Sequence, residues 1–356
     1  MARGRRFGAE FAAFRGRIAA LELVFGTGGP AAADGSPAAV VCRTKADLAD
    51  YCKPSAPGAL LKASLLCTGF VSLAPGAPPL AEQLRALGSG IEAHCWSHLP
   101  QGSGLGTSSI LAGNVLAAMG AAVGRAFDGD SIVHAVLKVE QMLTTGGGWQ
   151  DQVGGLLPGV KIARSAARLP LRVASECVPL PAGYARAFSR HVLLVFTGQA
   201  RLARNLLQNV IRRWYARLPE ICATVDELTS NAEAAAIAFR RGDTAAVGAC
   251  LSRYWEHKKN MAAGCEPDFI AALMAHLRAK GLLLGCSLCG AGGGGFMVLV
   301  TKAPDALDAV RAAVAELRAD GGGGAQDALA GLTFHAVDVD TQGMVLRVDG
   351  DDDDGA

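Results

Sequence analysis

The sequence predicts an α+β chain in two domains, on three observations. Stretches with strand alternation and stretches with helical spacing recur throughout its 356 residues, a length that fills two domains of ordinary size. A Pro- and Gly-containing segment, residues 179–190, separates the two halves. In the first half a glycine-rich turn, residues 102–106, opens directly into an apolar helical run.

Composition narrows the function. The formal net charge is +2, only 19% of residues are charged, and no basic stripe is interleaved with aromatics, so nothing here invites nucleic acid. The ten cysteines are scattered. Cys286 and Cys289 form one C-x-x-C without a second pair at zinc spacing, which reads as small buried thiols. Residues 281–301 carry no charge, yet seven of them are glycine, so they predict strand, loop, strand rather than a membrane span.

In chain order, residues 1–38 are assigned to no domain. Arg3, Arg5, Arg6, Arg15 and Arg17 among Phe7, Phe11 and Phe14 resemble a mitochondrial presequence, and the plainer reading is foreign or mispredicted sequence. One helix is predicted around Glu10 to Val24, then a small-residue linker over 26–37. The first domain spans 39–182. Val40 to Cys42 predicts a short strand, and 57–73 a buried helix with Leu60, Leu61, Ser64, Leu65 and Thr68 on one face. From Gly90 to Leu99, Ile91, Ala93 and Cys95 alternate with Glu92, His94, Trp96 and His98. That is strand periodicity, which holds His94 and His98 about 13 Å apart and denies them a shared metal.

Leu99 to Gly113, LPQGSGLGTSSILAG, organises the rest. Gly102, Gly104 and Gly106 leave backbone N–H groups uncovered, and Thr107, Ser108 and Ser109 stand where a helix N-cap is expected. A glycine turn feeding a helix N-terminus is an anion site, because free N–H groups and the positive helix end converge there. The Walker pattern is absent, since no lysine stands near the glycines, and the dinucleotide pattern fails at Thr107. A third phosphate pattern, P-x-x-x-G-L-x-[ST]-S, is met by Pro100, Gly104, Leu105, Thr107, Ser108 and Ser109, with Gly102, Ser103 and Gly106 inside the same loop.

A helix opened by Asp130 is predicted over 131–144, with Val133, Val136, Leu137 and Glu140 on its core side. A core-facing carboxylate needs a partner, either an arginine or a bound cation. The glycine-rich segment 145–155 follows and places Asp151 between two glutamines. Two carboxylates so spaced can divide labour, one holding a metal and the other meeting a substrate hydroxyl.

The second domain spans 183–349. It begins with a strand at His191 to Phe196 and continues in helices from Arg201 to Lys280, broken near Pro219, Gly242 and Gly264. The glycine loop 290–295 opens a buried strand. A helix over 304–318 and two strands, Leu332 to Val339 and Gly343 to Val348, close the domain. The acidic tail 350–356 is a solvated end without an assigned role.

These residues resemble the L-fucose kinases of the GHMP small-molecule kinase family over roughly 39–349. The carrying segments are LPQGSGLGTSSILAG, LTTGGGWQDQVGGLLPGVK (143–161), LLVFTGQARLARNLLQNV (193–210), YWEHKKNMAAGCEP (254–267) and GAGGGGF (290–296). Heptose kinases of the same family share the G-x-x-QDQ element. The resemblance implies an N-terminal domain like the second domain of ribosomal protein S5 and a ferredoxin-like C-terminal sandwich. It implies ATP and Mg²⁺ as cofactors, L-fucose as the small-molecule substrate, a cytoplasmic location, and neither nucleic acid nor membrane as partner. By the same resemblance, Pro100 and the loop Gly102 to Ser109 hold the ATP phosphates. Thr107 or Ser108 with Glu140 holds Mg²⁺, and Asp151 meets the anomeric hydroxyl. Gly290, Gly292, Gly293, Gly294 and Gly295 form the family's third motif. Gly147, Gly148, Trp149, Arg201 and Arg204 are sugar-contact candidates. The family's first motif, in fucose kinases a segment like R-x-D-x-x-GGW-x-DTPP, has no match between Met1 and Val40. The resemblance therefore predicts a truncated chain, a first sheet short of its first strand, an open sugar pocket and little activity.

Overall fold

The computed structural model describes residues 7–14, 21–25, 38–88, 90–99, 102–144, 147–199, 204–320 and 329–347. The arginines at 3, 5, 6, 15 and 17, the linker 26–37 and the acidic tail lie outside them.

The first half is built on a four-stranded sheet. Strands β1 (Phe7–Phe14) and β2 (Leu21–Phe25) arise where the sequence predicts a helix, and β3 (Ala38–Cys42) follows. After α1 (Ala59–Thr68) and α2 (Leu80–Ala86), β4 (Gly90–Ser97) enters the middle, giving the order β1-β4-β2-β3. β1 runs antiparallel to β4 from Phe7↔Ser97 to Phe14↔Gly90, and β2 runs parallel to β4 on its other side. The helix expectation over 10–24 is thus wrong, and the first sheet is not left short of strands at its N-terminal end. Helical spacing of phenylalanines is a weak local preference, overridden because β4 would otherwise keep two unpaired edges. β4 buries Ile91, Ala93 and Cys95, as its alternation predicts. α1 is shorter than expected because Gly69 ends it in the left-handed conformation, φ +77°.

Helix α3 (Thr107–Ala122) packs on this sheet, α4 (Gly129–Met142) and α5 (Gln150–Leu156) pack on α3, and a hairpin of β5 (Lys161–Ser165) and β6 (Val173–Cys177) follows. The Asp128 carboxylate accepts from the Ser131 N–H at 2.7 Å, so α4 starts two residues early and Asp128, not Asp130, caps it. α5 replaces what reads as loop in the sequence.

In the second half, α6 (Tyr184–Ser189) lies inside the expected boundary segment and leads to β7 (Val192–Phe196). Four helices follow: α7 (Arg204–Tyr215), α8 (Pro219–Arg241), α9 (Thr244–Met261) and α10 (Asp268–Ala279). Pro219 opens α8 and left-handed Gly242 closes it, as the predicted breaks require. β8 (Leu283–Leu288), β9 (Phe296–Thr301), α11 (Leu307–Asp320) and β10 (Thr333–Ala336) complete an antiparallel sheet of order β10-β7-β9-β8. Its core gathers Trp255, Met297 and Leu299, all with no exposed surface. The second closing strand expected at 343–348 does not form over 343–347. Asp340 instead turns the chain by accepting from the Gln342 and Gly343 N–H groups, and the Met344 N–H donates to Leu156 at the end of α5. No helix among the described residues is long and apolar enough to cross a membrane.

Candidate active site

Gly102, Gly104 and Gly106, expected to form a phosphate loop, all take positive φ, at 72°, 76° and 67°. The turn they make delivers the chain into α3 with Gly106 at the N-cap position and Thr107 as the first helical residue. The expected Ser/Thr cap is therefore absent, and no described side chain caps this end. The first N–H groups of α3 stay available to an anion, and the helix dipole adds to their pull. The Thr107 hydroxyl lies 3.0 Å from that of Ser103, which holds the loop to the helix. Pro100 lies outside the described residues.

Two glycines dock α5 alongside α3. A Cβ on Gly113 would lie 2.3 Å from Leu156, and one on Gly155 would lie 2.4 Å from Ile110. The Leu156 and Ile110 side chains fill the space that each glycine leaves, so the two helices pack closely and run parallel. Their starts then coincide. A Cβ on Gly106 would lie 3.0 Å from the Asp151 Cβ. Within the glycine-rich segment 145–155, Gly155 serves to bring two helices together. Asp151 keeps an exposed side chain. The protein crowded around it nonetheless raises its carboxyl above the ordinary value, against the lowering pull of Lys258.

Glu140 is buried on the core side of α4, 7% exposed. Among the described residues no arginine forms a salt bridge with it. Its Oε1 accepts from Ser109 at 2.6 Å and more loosely from Ser108 at 3.4 Å, and its Oε2 accepts from Gln152 Nε2 at 2.8 Å. Burial raises its pKa most, the Ser109 hydrogen bond opposes that, and the Asp151 charge raises it further. Ser109 is buried, and its hydroxyl is committed to this carboxylate. Gln152 is fully buried, and its Oε1 has no hydrogen-bond partner among the described residues.

The loop 290–295 closes the cleft from the C-terminal half. A Cβ on Gly290 would sit 2.7 Å from the Gly104 Cα, and one on Gly295 would sit 2.5 Å from the Ser103 carbonyl. The Phe296 N–H donates to that carbonyl at 2.9 Å. Gly293 and Gly295 are fixed in turn by the Cys265 and Gln199 carbonyls, at 2.6 and 2.7 Å. The sequence assigns no role to Lys258 at the end of α9, yet its ammonium donates to the Gly290 carbonyl and to the Tyr254 hydroxyl. Only its place in the segment YWEHKKNM hinted at a function.

The sugar-contact candidates separate. Gly147 backs Glu140, with its Cβ position 3.5 Å from Oε2, while Gly148 opens to free space. The Trp149 indole N–H is held by the Ser165 hydroxyl at 3.1 Å. Arg204 opens α7, and Arg201 lies outside the described residues. His94 pairs with Glu92, not with His98.

The donor set suits Mg²⁺. Glu140, the Ser108 hydroxyl and the orphaned Gln152 Oε1 are hard oxygen donors. No three His, Cys, Asp or Glu side chains gather as a metal cage among the described residues. Mg²⁺ bound with a nucleotide needs only one or two carboxylates, because phosphates and water complete its shell.

The family of GHMP kinases N terminal domains matches residues 78–159, which hold the glycine turn 102–106, Glu140 and Asp151. The family of GHMP kinases C terminal domains matches residues 235–319, which hold Lys258 and the second glycine loop. The chain is 35% identical over 272 residues to a Bacteroides fragilis L-fucokinase/L-fucose-1-P guanylyltransferase, covering 76% of this chain and 28% of that protein. It is 34% identical over 248 residues to an Arabidopsis thaliana bifunctional fucokinase/GDP-fucose pyrophosphorylase, covering 69% of this chain and 22% of that protein. The chain thus spans about a quarter of the curated relatives it matches. Among solved structures, Lactococcus lactis galactokinase complexed with galactose superposes with a TM-score of 0.62 over 96% of this chain and 87% of that one, at 15% identity. A mevalonate kinase superposes at 0.55 over 92% and 87%, at 14% identity. With both domains matched and the fold shared, the chain belongs to the GHMP kinase family.

Proposed function

We propose that this chain is an ATP-dependent sugar kinase that phosphorylates the anomeric hydroxyl of L-fucose in the cytoplasm. The observation that carries the reading is the meeting of Asp151 with the uncapped start of α3 at Gly106, above a buried Glu140. The two relatives whose names include fucokinase support the choice of sugar.

On this reading the α3 N–H groups and the loop 102–107 cradle the ATP phosphates. Glu140 and Ser108 hold Mg²⁺, which neutralises phosphate charge when bound. Asp151 accepts the proton of the sugar hydroxyl as that oxygen bonds to the γ-phosphorus and the bond to ADP breaks. Crowding raises the Asp151 pKa toward the range in which a base works well. The phosphate loop, Glu140 and Asp151 then act by position and charge, as phosphoryl transfer requires.

The test is ADP release from the full chain with Mg·ATP over L-fucose, D-galactose and a heptose, with the product's phosphate located by NMR. Release stimulated by L-fucose, with phosphate on the anomeric oxygen, is the expected result. Stimulation by another sugar alone overturns the choice of fucose, and ATP turnover indifferent to every sugar overturns the kinase.

A further inference from the structure

The phosphate loop, residues 102–109, contains no basic residue. Its N–H groups and helix dipole supply only about half a positive charge, whereas phosphoryl transfer moves charge onto the oxygen between the β- and γ-phosphates. Apart from the Mg²⁺ held by Glu140 and Ser108, a fixed positive charge at this cleft has to come from elsewhere in the chain.

We propose that Lys258 is that fixed charge: the C-terminal half delivers its ammonium to the γ-phosphate, across the seam where Gly290 rests on Gly104. The proposal rests on the kinase reading above. Lys258 lies in the last turn of α9, and its Nζ donates to the Gly290 carbonyl and, at 3.0 Å, to the Tyr254 hydroxyl. The Tyr254 ring also flanks the ammonium, with its centre 5.4 Å away. These contacts hold the charge at the seam, since Gly290 is itself stacked on the phosphate loop. An ammonium has three donors, and two are engaged here, which leaves one for an oxygen entering the cleft. The charge also reaches across the seam: it opposes the burial that raises the pKa of Asp151 in the N-terminal half and of Cys289 beside Gly290. Lys258 thus stands at the seam beside the glycine loop, held on the Gly290 carbonyl.

Lys258 could instead serve only as a latch on the Gly290 loop, and nucleotide length separates the two roles. With Mg²⁺ present, fluorescent ADP and fluorescent AMPPNP are titrated into the full chain and into Lys258→Met and Lys258→Arg. Loss of a charged hydrogen bond to the γ-phosphate predicts AMPPNP binding weakened about tenfold or more in Lys258→Met, with ADP binding nearly unchanged. Turnover should fall about 100-fold with the sugar KM little altered, and Lys258→Arg should restore much of both losses. Equal weakening of both nucleotides, or no change in either, overturns the proposal. Wild-type protein that binds neither nucleotide overturns the kinase reading beneath it, a failure visible before any variant is made.

Discussion

Gly106 and Asp151 lie so close that one methyl group would fill the space between their helices, 3.0 Å from the Asp151 Cβ. Gly106 also has φ +67°, which an L side chain adopts at a cost. Gly106→Ala should lower stability by about 1 kcal/mol and reduce turnover about tenfold or more by pushing Asp151 off its line. Gly154→Ala is the control, because its Cβ position meets nothing within 4 Å and it lies in the same short helix. Melting curves and ADP release on the two variants check this. Equal effects at Gly106 and Gly154 would deny the contact its importance.

Asp151→Asn keeps the shape and removes the base. Turnover should drop by about 100-fold or more while nucleotide affinity stays near that of the wild type, since the carboxylate is assigned to the sugar. Steady-state ADP release and a nucleotide titration give the two numbers. Near-normal turnover would remove Asp151 from the chemistry.

Glu140 is raised above its ordinary pKa of 4.5, chiefly by burial. A carboxyl raised in the fold contributes stability below its unfolded value and loses that contribution as pH climbs through the folded value. Glu140→Gln removes this slope. Its melting temperature should therefore gain on the wild type as pH rises from about 4.5 to 7, while Mg²⁺-dependent nucleotide binding weakens. A marked loss of stability at pH 7 with unchanged metal dependence would make Glu140 a structural anchor for Ser109 and Gln152 instead.

Removal of residues 1–25 strips β4 of its partners on both sides, since β1 and β2 flank it. Two open edges on a strand that buries Ile91, Ala93 and Cys95 invite association between chains. The shortened protein should be insoluble or oligomeric by gel filtration. A monomer with wild-type melting would mean that β1 and β2 add nothing to the sheet.

The sequence made the site's parts visible because each follows a local rule. β4 alternates, the glycine loop precedes an apolar helix, and Glu140 falls on the core face of α4. Three features depended on distant partners and were not legible. β1 looks helical until its pairing with β4 is known, α5 looks like loop until Ile110 and Leu156 show why its glycines are there, and Lys258 becomes notable only when Gly290 stacks on Gly104. The fit of Ser109 to a phosphate pattern likewise gives no sign that its hydroxyl is committed to Glu140.

The stacking of Gly290 on Gly104 also sets the order in which the protein can become functional during synthesis. The strands around β4 and the helices bearing Glu140 and Asp151 leave the ribosome first and can assemble early. The wall formed by 290–295 and the ammonium of Lys258 emerge long afterwards, so a growing chain holds an unfinished cleft. On the kinase reading, nucleotide binding that requires both halves then reports that synthesis has passed β9, and nascent chains arrested before β9 should fail to retain it.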